Sequence, residues 1–339
     1  MRGHPSRSAP IGVLIVNLGT PEAPEPKAVR KYLAEFLADP RVVELPRILW
    51  LPILYGVILN TRPKKSARGY AAIWEQASDE SPLKAVTRRQ SESLRETTES
   101  GALGTTPVVV DYAMRYGAPS LQAGLEKLMG AGCERILVAP LYPQYAAATT
   151  ATAFDAVAQA LRKMRRQPTL RFLPPYYDDP AYVDALAQGL RAGIAALDFE
   201  PEVILASFHG LPQLQIDKGD PYRAQCEATW RLLREAMGLS ERQLRLSFQS
   251  RFGRAQWIEP YTSETVRALA TEGVKRLAVV APGFSADCLE TIDEIGAEIR
   301  DEFLHAGGEK FARIACLNDS PEGMRLIETL VQRELAGWV

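Results

Sequence analysis

The sequence predicts an α/β protein with parallel sheets, arranged as two doubly wound lobes related by an internal duplication. Three observations predict it. β-branched or leucine-rich runs that end in Gly, Pro or a polar residue recur as IGVLIVNLG, TPVVVDYAMRYG, CERILVAPLYP, EVILASFHGLP, QLRLSFQSRFG and VKRLAVVAPGF. Segments of helical period, such as SLQAGLEKLMGAG and SETVRALATEG, separate most of them, and strand–helix–strand succession implies parallel pairing. The second half also echoes the first. Arg115, Tyr116 and Gly117 align with Arg251, Phe252 and Gly253, and Arg135 and Ala139-Pro140 with Arg276 and Ala281-Pro282. Arg115 to Pro140 spans 25 residues and Arg251 to Pro282 spans 31, which places an insertion at or near AQWIEP. IGVLIVNLGTP likewise matches EVILASFHGLP, a spacing that suits a duplicated domain and not a solenoid.

Taken in order, residues 1–10 read as a tail and 11–150 as the first lobe with an apolar lip at 45–60. Residues 151–200 read as a helical connection, 201–315 as the second lobe and 316–339 as a C-terminal helix. The 339 residues, 46% apolar, suffice for one large or two ordinary cores. With 40 basic and 41 acidic residues and no long basic run, wholesale nucleic-acid binding is excluded. The four cysteines form no CxxC, which argues against a disulfide framework or a zinc or iron–sulfur knuckle and fits a reducing cytoplasm. The apolar run after MRGHPSRSAP lacks a small-x-small cleavage site and reads as the first strand.

Residues 48–59, ILWLPILYGVIL, are the most apolar stretch, yet twelve residues containing Pro52 fall short of the roughly 20 a spanning helix needs. They are either a buried core segment or an exposed lip that touches a membrane or grips an apolar ligand, with Trp50 and Leu54 on it and Arg62, Lys64, Lys65 and Arg68 beside it.

Ligands of doubly wound sheets bind beyond the carboxyl ends of the strands, so strand-end residues are the ones to inspect. No strand is followed by GxGxxG or GxxxxGK[ST], so nucleotide phosphate has no motif. Of the three histidines, His4 lies in the tail and His305 near a helix end, whereas His209 closes the strand of SFHGLP. Its ring is either satisfied by backbone groups or free to accept protons or a borderline metal. In PGFSADCLETIDEIGAEIRDEF, Ile292, Ile295, Ile299 and Phe303 form an apolar stripe, while Glu290, Glu294 and Glu298 recur four apart. The acids are either a solvated face, with Asp287 and Glu290 in a capping box, or a carboxylate track opposite the histidine. Arg115, Tyr116, Tyr142, Tyr145, Trp257 and Phe284 add aromatic and basic character suited to a flat conjugated molecule with carboxylate arms.

In their order, VNLGTPE, RPKKSA, ESPL, MRYG, PLYPQYA, SFHGLP, KGDPY, FQSRFG, Trp257 and FSADCLETIDEI resemble the ferrochelatase family over nearly the whole chain. The resemblance implies two Rossmann-like lobes of chelatase type with the active site in the cleft between them. It implies insertion of Fe2+ into a porphyrin, with loss of two pyrrole protons, as the last step of haem biosynthesis. His209 and Glu290 become the catalytic pair and the candidate metal ligands, and Glu294, Glu298 and Asp287 a proton or metal track. Leu18, Arg115, Tyr116, Tyr145, Trp257, Phe284, Trp50 and Leu54 become porphyrin contacts. The NLGTPE opening resembles members that use protoporphyrin IX. Cys288 stands where animal members often carry histidine, and the C-terminus lacks the cysteines of members with an iron–sulfur cluster, so neither a relay there nor a cluster is expected. Expected partners are the porphyrin and ferrous iron as substrates, with peripheral membrane contact through 45–60 and a cytoplasmic location. Two other readings fit the architecture: a cobalt or nickel tetrapyrrole chelatase, and a two-lobed binding protein without catalysis.

Overall fold

Each apolar run expected as a strand forms one in the computed structural model, which describes residues 9–101, 106–253 and 255–339. His4 and the first eight residues of the expected tail lie outside that range. The strands are β1 (Ile11–Gly19), β2 (Val108–Tyr116), β3 (Arg135–Pro140), β4 (Thr169–Phe172), β5 (Val203–His209), β6 (Leu244–Gln249), β7 (Arg276–Val280) and β8 (Lys310–Arg313). The short strands β4 and β8, TLRF and KFAR, left no mark in the apolar pattern. Each has four residues, a cation within it and an edge position, so neither needs a continuous apolar run.

Two all-parallel sheets result, ordered β2-β1-β3-β4 and β6-β5-β7-β8. The chain divides into two units around them. Of the described residues, those within 1–141, 147–174 and 324–339 form unit 1, and those within 142–146 and 175–323 form unit 2. The segment 151–200, expected as a helical connection, is therefore shared out. The helix Thr152–Lys163 and β4 complete unit 1, because β4 hydrogen-bonds along β3, and the helix Pro180–Ala195 belongs to unit 2.

The identical strand order supports the duplication, and the ladder registers refine it. Val13 lies between Val110 and Leu137, as Ile204 lies between Leu244 and Ala278. Counting along each strand from these pairs makes Leu18 the counterpart of His209, Met114 of Phe248, Arg115 of Gln249 and Tyr116 of Ser250. The backbone agrees: Met114 N–H donates to the Pro119 carbonyl at 2.7 Å and Phe248 N–H to that of Pro260 at 2.8 Å. Arg115 is thus not the equivalent of Arg251, as the matched RYG and RFG letters suggest. Two residues separate Tyr116 from Pro119 but nine separate Ser250 from Pro260, so the insertion lies between Ser250 and Pro260.

Both sheets are covered on both faces, as parallel sheets require. In unit 1, Ile11, Val13 and Ile15 point to one side by the two-residue period of a strand. They pack with Val110, Leu137, Leu94 and the apolar stripe Met324, Ile327, Val331 and Leu335 of the C-terminal helix Pro321–Leu335. On the other side the helix Leu121–Gly130 approaches so closely that a Cβ on Gly124 would meet Leu14 at 2.7 Å. In unit 2, Val203, Leu205, Leu277 and Val279 pack on Val266, Leu269, Ile295, Ile299 and Phe303. The last three belong to the stripe expected from the isoleucine spacing, whose fourth member, Ile292, is only half-buried and lies outside this cluster.

The connection from β1 to β2 carries the lip. It runs through the helix Arg47–Ile53, a wide π-type turn Leu54–Ile58 and the helix Leu59–Ile73. Leu54 and Leu59 turn inward, whereas Leu45, Ile48, Leu49, Ile53, Tyr55 and Val57 are exposed, Ile48 to 83%. Among the described residues no helix is long and apolar enough to cross a membrane.

Candidate active site

Strand β5 is buried from Val203 to Phe208 and reaches half-exposure only at His209, its last residue. The chain turns at once, and the turn needs glycine. A Cβ on Gly210 would lie 2.8 Å from the Gln249 carbonyl oxygen and 3.1 Å from Cε3 of Trp257. The Gly210 carbonyl then lies 2.6 Å from His209 Nδ1. A carbonyl oxygen only accepts, so Nδ1 carries the proton and, in the neutral ring, the lone pair sits on Nε2. The imidazole centroid is 6.4 Å from that of Trp257, whose other neighbour, Phe252, meets it edge-on at 5.0 Å. Trp257 is buried, yet its Nε1 has no hydrogen-bond partner among the described residues.

Next to His209 in the ladder stands Gln249, the end of β6. Its Nε2 donates to the Glu290 carbonyl at 2.9 Å and its Oε1 accepts from Ser207 Oγ at 2.7 Å. Each hydroxyl has one hydrogen to give, so Thr262 must donate to Ser207 and Ser247 to Thr262, both at 2.8 Å. A buried, fully oriented row of hydrogen bonds therefore runs beneath the strand ends and fixes where the helix of Glu290 starts.

That helix, Glu290–Ile299, is wound as a π-helix, a form found mostly as short segments and often at functional sites. Glu290 and Glu294 are half-buried on it and Glu298 is exposed, so the series of acids ends at solvent. Ser250, one residue past β6, donates its N–H to Glu294 Oε1 at 2.7 Å and its Oγ–H to Oε2 at 2.5 Å. Burial pushes the Glu294 carboxyl above its ordinary range and the Glu290 charge adds to this, while the Ser250 donors and His209 pull the other way. His209, Glu290 and Glu294 thus share one electrostatic neighbourhood inside unit 2.

Asp287, expected in the same track, sits differently. Its carboxylate accepts from Arg313 Nη1 at 2.6 Å, Thr291 Oγ1 at 2.8 Å and Asn318 Nδ2 at 2.7 Å, and its N–H donates to Asn318 Oδ1 at 2.7 Å. With its oxygens so occupied it anchors the helix to β8 instead of closing the capping box its spacing suggests, for the helix has its N-cap at Leu289 without a side-chain cap bond. Cys288 is buried, and burial with the nearby Glu290 charge pushes its thiol well above the usual value. Phe284 is half-buried against the unit 2 core, and the Tyr145 N–H donates to Gln225 Oε1 at 2.7 Å.

In unit 1, Leu18 occupies the half-buried strand-end place that His209 holds in unit 2. Arg115 and Tyr116, expected as porphyrin contacts, turn instead toward Asp39. Both donate to Asp39 Oδ2, Tyr116 at 3.0 Å, and the Arg115 guanidinium lies 4.2 Å from the Tyr116 ring centroid. Phe36 closes on the ring at 5.1 Å, and Tyr116 has no exposed surface. Leu54 also has none, because the wide turn points it into the fold, so neither residue can touch a ligand in this conformation. Trp50 is held by its Nε1–H on the Leu37 carbonyl at 2.7 Å. Among the described residues no group of three or more His, Cys, Asp and Glu side chains is arranged to hold a metal ion.

Gln249, Ser250 and Asp39 did not emerge from the sequence. The strand-end rule that singles out His209 points equally to the first two, but the matched RYG and RFG letters point past both to Arg251. Asp39 carried no local signal, because its partners lie 76 and 77 residues away.

Comparison with known proteins bears on the family and the fold. A sequence model of the family described as Ferrochelatase matches residues 10–335. The ferrochelatase of Mesorhizobium japonicum is 56% identical over 339 residues, 99% of this chain and 95% of that one. That of Methylocella silvestris is 56% identical over 330 residues, 97% of this chain and 95% of its own. Among solved structures, SirB from Bacillus subtilis with Fe3+ covers 97% of this chain and 96% of its own at a TM-score of 0.56. At 14% identity that likeness concerns the fold alone.

Proposed function

This chain belongs to the ferrochelatase family, and on that premise we propose that His209 Nε2 is the first acceptor of pyrrole protons and that Glu290, Glu294 and Glu298 pass them outward. The reaction itself is insertion of Fe2+ into a porphyrin to make haem. A free porphyrin holds two N–H groups in the ring plane, so four nitrogen lone pairs reach the metal only when two N–H bonds break and the ring bends. Two protons leave as four N–Fe bonds form, and a base must receive them. Iron enters as a substrate.

The single observation that carries the assignment is the Nδ1 contact with the Gly210 carbonyl, which puts the one available lone pair of His209 on Nε2. One lone pair cannot bind iron and a proton together. We assign it to the proton and Glu290, as a carboxylate, to assisting that transfer or to the iron. Glu294 is suited to the next step because its raised proton affinity lets it accept a proton and release it toward exposed Glu298. Exposed Phe252, backed edge-on by buried Trp257, supplies apolar surface beside the imidazole for the macrocycle.

We take protoporphyrin IX as the porphyrin, on the strength of the VNLGTPE opening. We also infer a cytoplasmic enzyme that touches a membrane peripherally. The exposed Leu45, Ile48, Leu49, Ile53, Tyr55 and Val57 form an apolar face with Arg62, Lys64, Lys65 and Arg68 exposed on the helix that follows, a pairing suited to an anionic lipid surface.

The test is anaerobic: purified protein, Fe2+ and either protoporphyrin IX or coproporphyrin III, followed by the haem absorption bands. His209→Ala is expected to abolish insertion while porphyrin still binds. Near-normal turnover in that variant removes His209 from the mechanism, and faster turnover of coproporphyrin reverses the choice of substrate.

A further inference from the structure

We propose that the Ser250 hydroxyl is a positioning device for proton transfer, holding Glu294 so that its carboxylate stays aligned between Glu290 and the exposed Glu298. This rests on the reading of Glu294 as a member of the carboxylate track.

Three observations carry it. One residue supplies two donors, N–H at 2.7 Å and Oγ–H at 2.5 Å, to the two oxygens of one carboxylate, which fixes both the position and the rotation of that group. Ser250 does so at φ 66°, in the left-handed region that favours glycine. Among the described residues only Asp79, Ser250 and Asn318 adopt positive φ without being glycine. The other two each use the side chain as well, Asp79 accepting from Trp74 Nε1 and Asn318 bonding to Asp287. A glycine at 250 would supply the same N–H with less backbone strain and would lack only the hydroxyl. The position of Ser250 is itself set by β6, since Gln249, the residue before it, is bonded to Ser207 and to the carbonyl of Glu290. The clamp is thus tied to the same oriented row that sets the start of the acidic helix.

Ser250→Ala and Ser250→Gly separate this role from a structural one, because both remove the hydroxyl while only glycine relaxes the backbone. In anaerobic single-turnover assays both are expected to lower the iron-insertion rate by roughly tenfold, with KM for porphyrin changed by less than about twofold. Ser250→Gly is expected to melt no lower than Ser250→Ala, and the double variant S250A/E294Q to be no slower than Glu294→Gln alone. A wild-type rate in Ser250→Gly beside a slow Ser250→Ala would trace the defect to backbone strain and overturn the proposal. Wild-type rates in both, with Glu294→Gln slow, would overturn it and leave the track standing. A wild-type rate in Glu294→Gln would instead remove the track on which the proposal depends.

Discussion

The hydroxyl of Tyr116 donates to Asp39 at 3.0 Å, on the same carboxylate oxygen that receives the Arg115 guanidinium. Asp39 also accepts the Arg41 N–H at 2.8 Å, and its backbone carbonyl accepts those of Val42 and Val43. One carboxylate therefore ties the end of β2 to the segment that leads into the lip. The Arg115 and Asp39 side chains are only 12% and 8% exposed, so removing the acid strands a shielded cation.

Asp39→Ala is accordingly expected to cost about 3 to 5 kcal/mol in urea unfolding, and Tyr116→Phe only about 1.5, since the ring stays packed on Phe36. Wild-type stability in Asp39→Ala would mean that Arg115 is not held by Asp39 in solution.

How far the sequence is legible depends on how local the cause is. The six longer strands, the duplication and the inward stripe of Ile295, Ile299 and Phe303 follow from short-range periodicity, and the sequence displays them. His209 and the Glu290, Glu294 and Glu298 series are legible because strand ends and four-residue spacings are local. The burial of Leu54 is not, because ILWLPILYGVIL is apolar on every side and its period cannot say which face turns in. The double clamp of Ser250 depends on a left-handed serine, which propensity does not announce. The anchoring of Asp287 depends on Arg313, 26 residues away on another strand.

The lip separates two kinds of leucine. Leu54→Ala removes a side chain with no exposed surface and is expected to lose roughly 2 to 5 kcal/mol of stability. Ile48→Ser with Leu49→Ser changes side chains that are 83% and 62% exposed and should alter stability by less than about 0.5 kcal/mol each. The double serine variant should nevertheless float less with anionic vesicles, and added salt should weaken the wild-type interaction. Equal flotation of both proteins would show that the apolar face does not contact lipid.

Asp287 and Glu290 should part company under conservative substitution. Asp287→Asn keeps an acceptor for Thr291 but weakens the bond to Arg313, so it should lower the melting temperature while the folded protein still inserts iron. Glu290→Gln should melt near the wild type and lose turnover. If Asp287→Asn folds normally and is as inactive as Glu290→Gln, the aspartate belongs to the chemistry and not to the anchor.

Glu294 makes the pH dependence of stability specific in sign. Its carboxyl is pushed above the ordinary value of 4.5, first by burial and then by Glu290, so the folded chain holds this proton more tightly than the unfolded chain does. Stability falls with pH wherever the folded state binds more protons. The contribution of Glu294 is therefore fully present below the unfolded value and is lost as pH rises through the folded one. Glu294→Gln lacks that titration but keeps the shape and an oxygen for the Ser250 N–H. Urea unfolding of both proteins between about pH 4 and pH 8 should show the wild type losing ground to the variant as pH rises, and then a constant difference. A difference that moves the other way would mean that the two Ser250 donors and His209 outweigh burial, placing the folded carboxyl below its ordinary range and making Glu294 a poor acceptor for a proton arriving from Glu290.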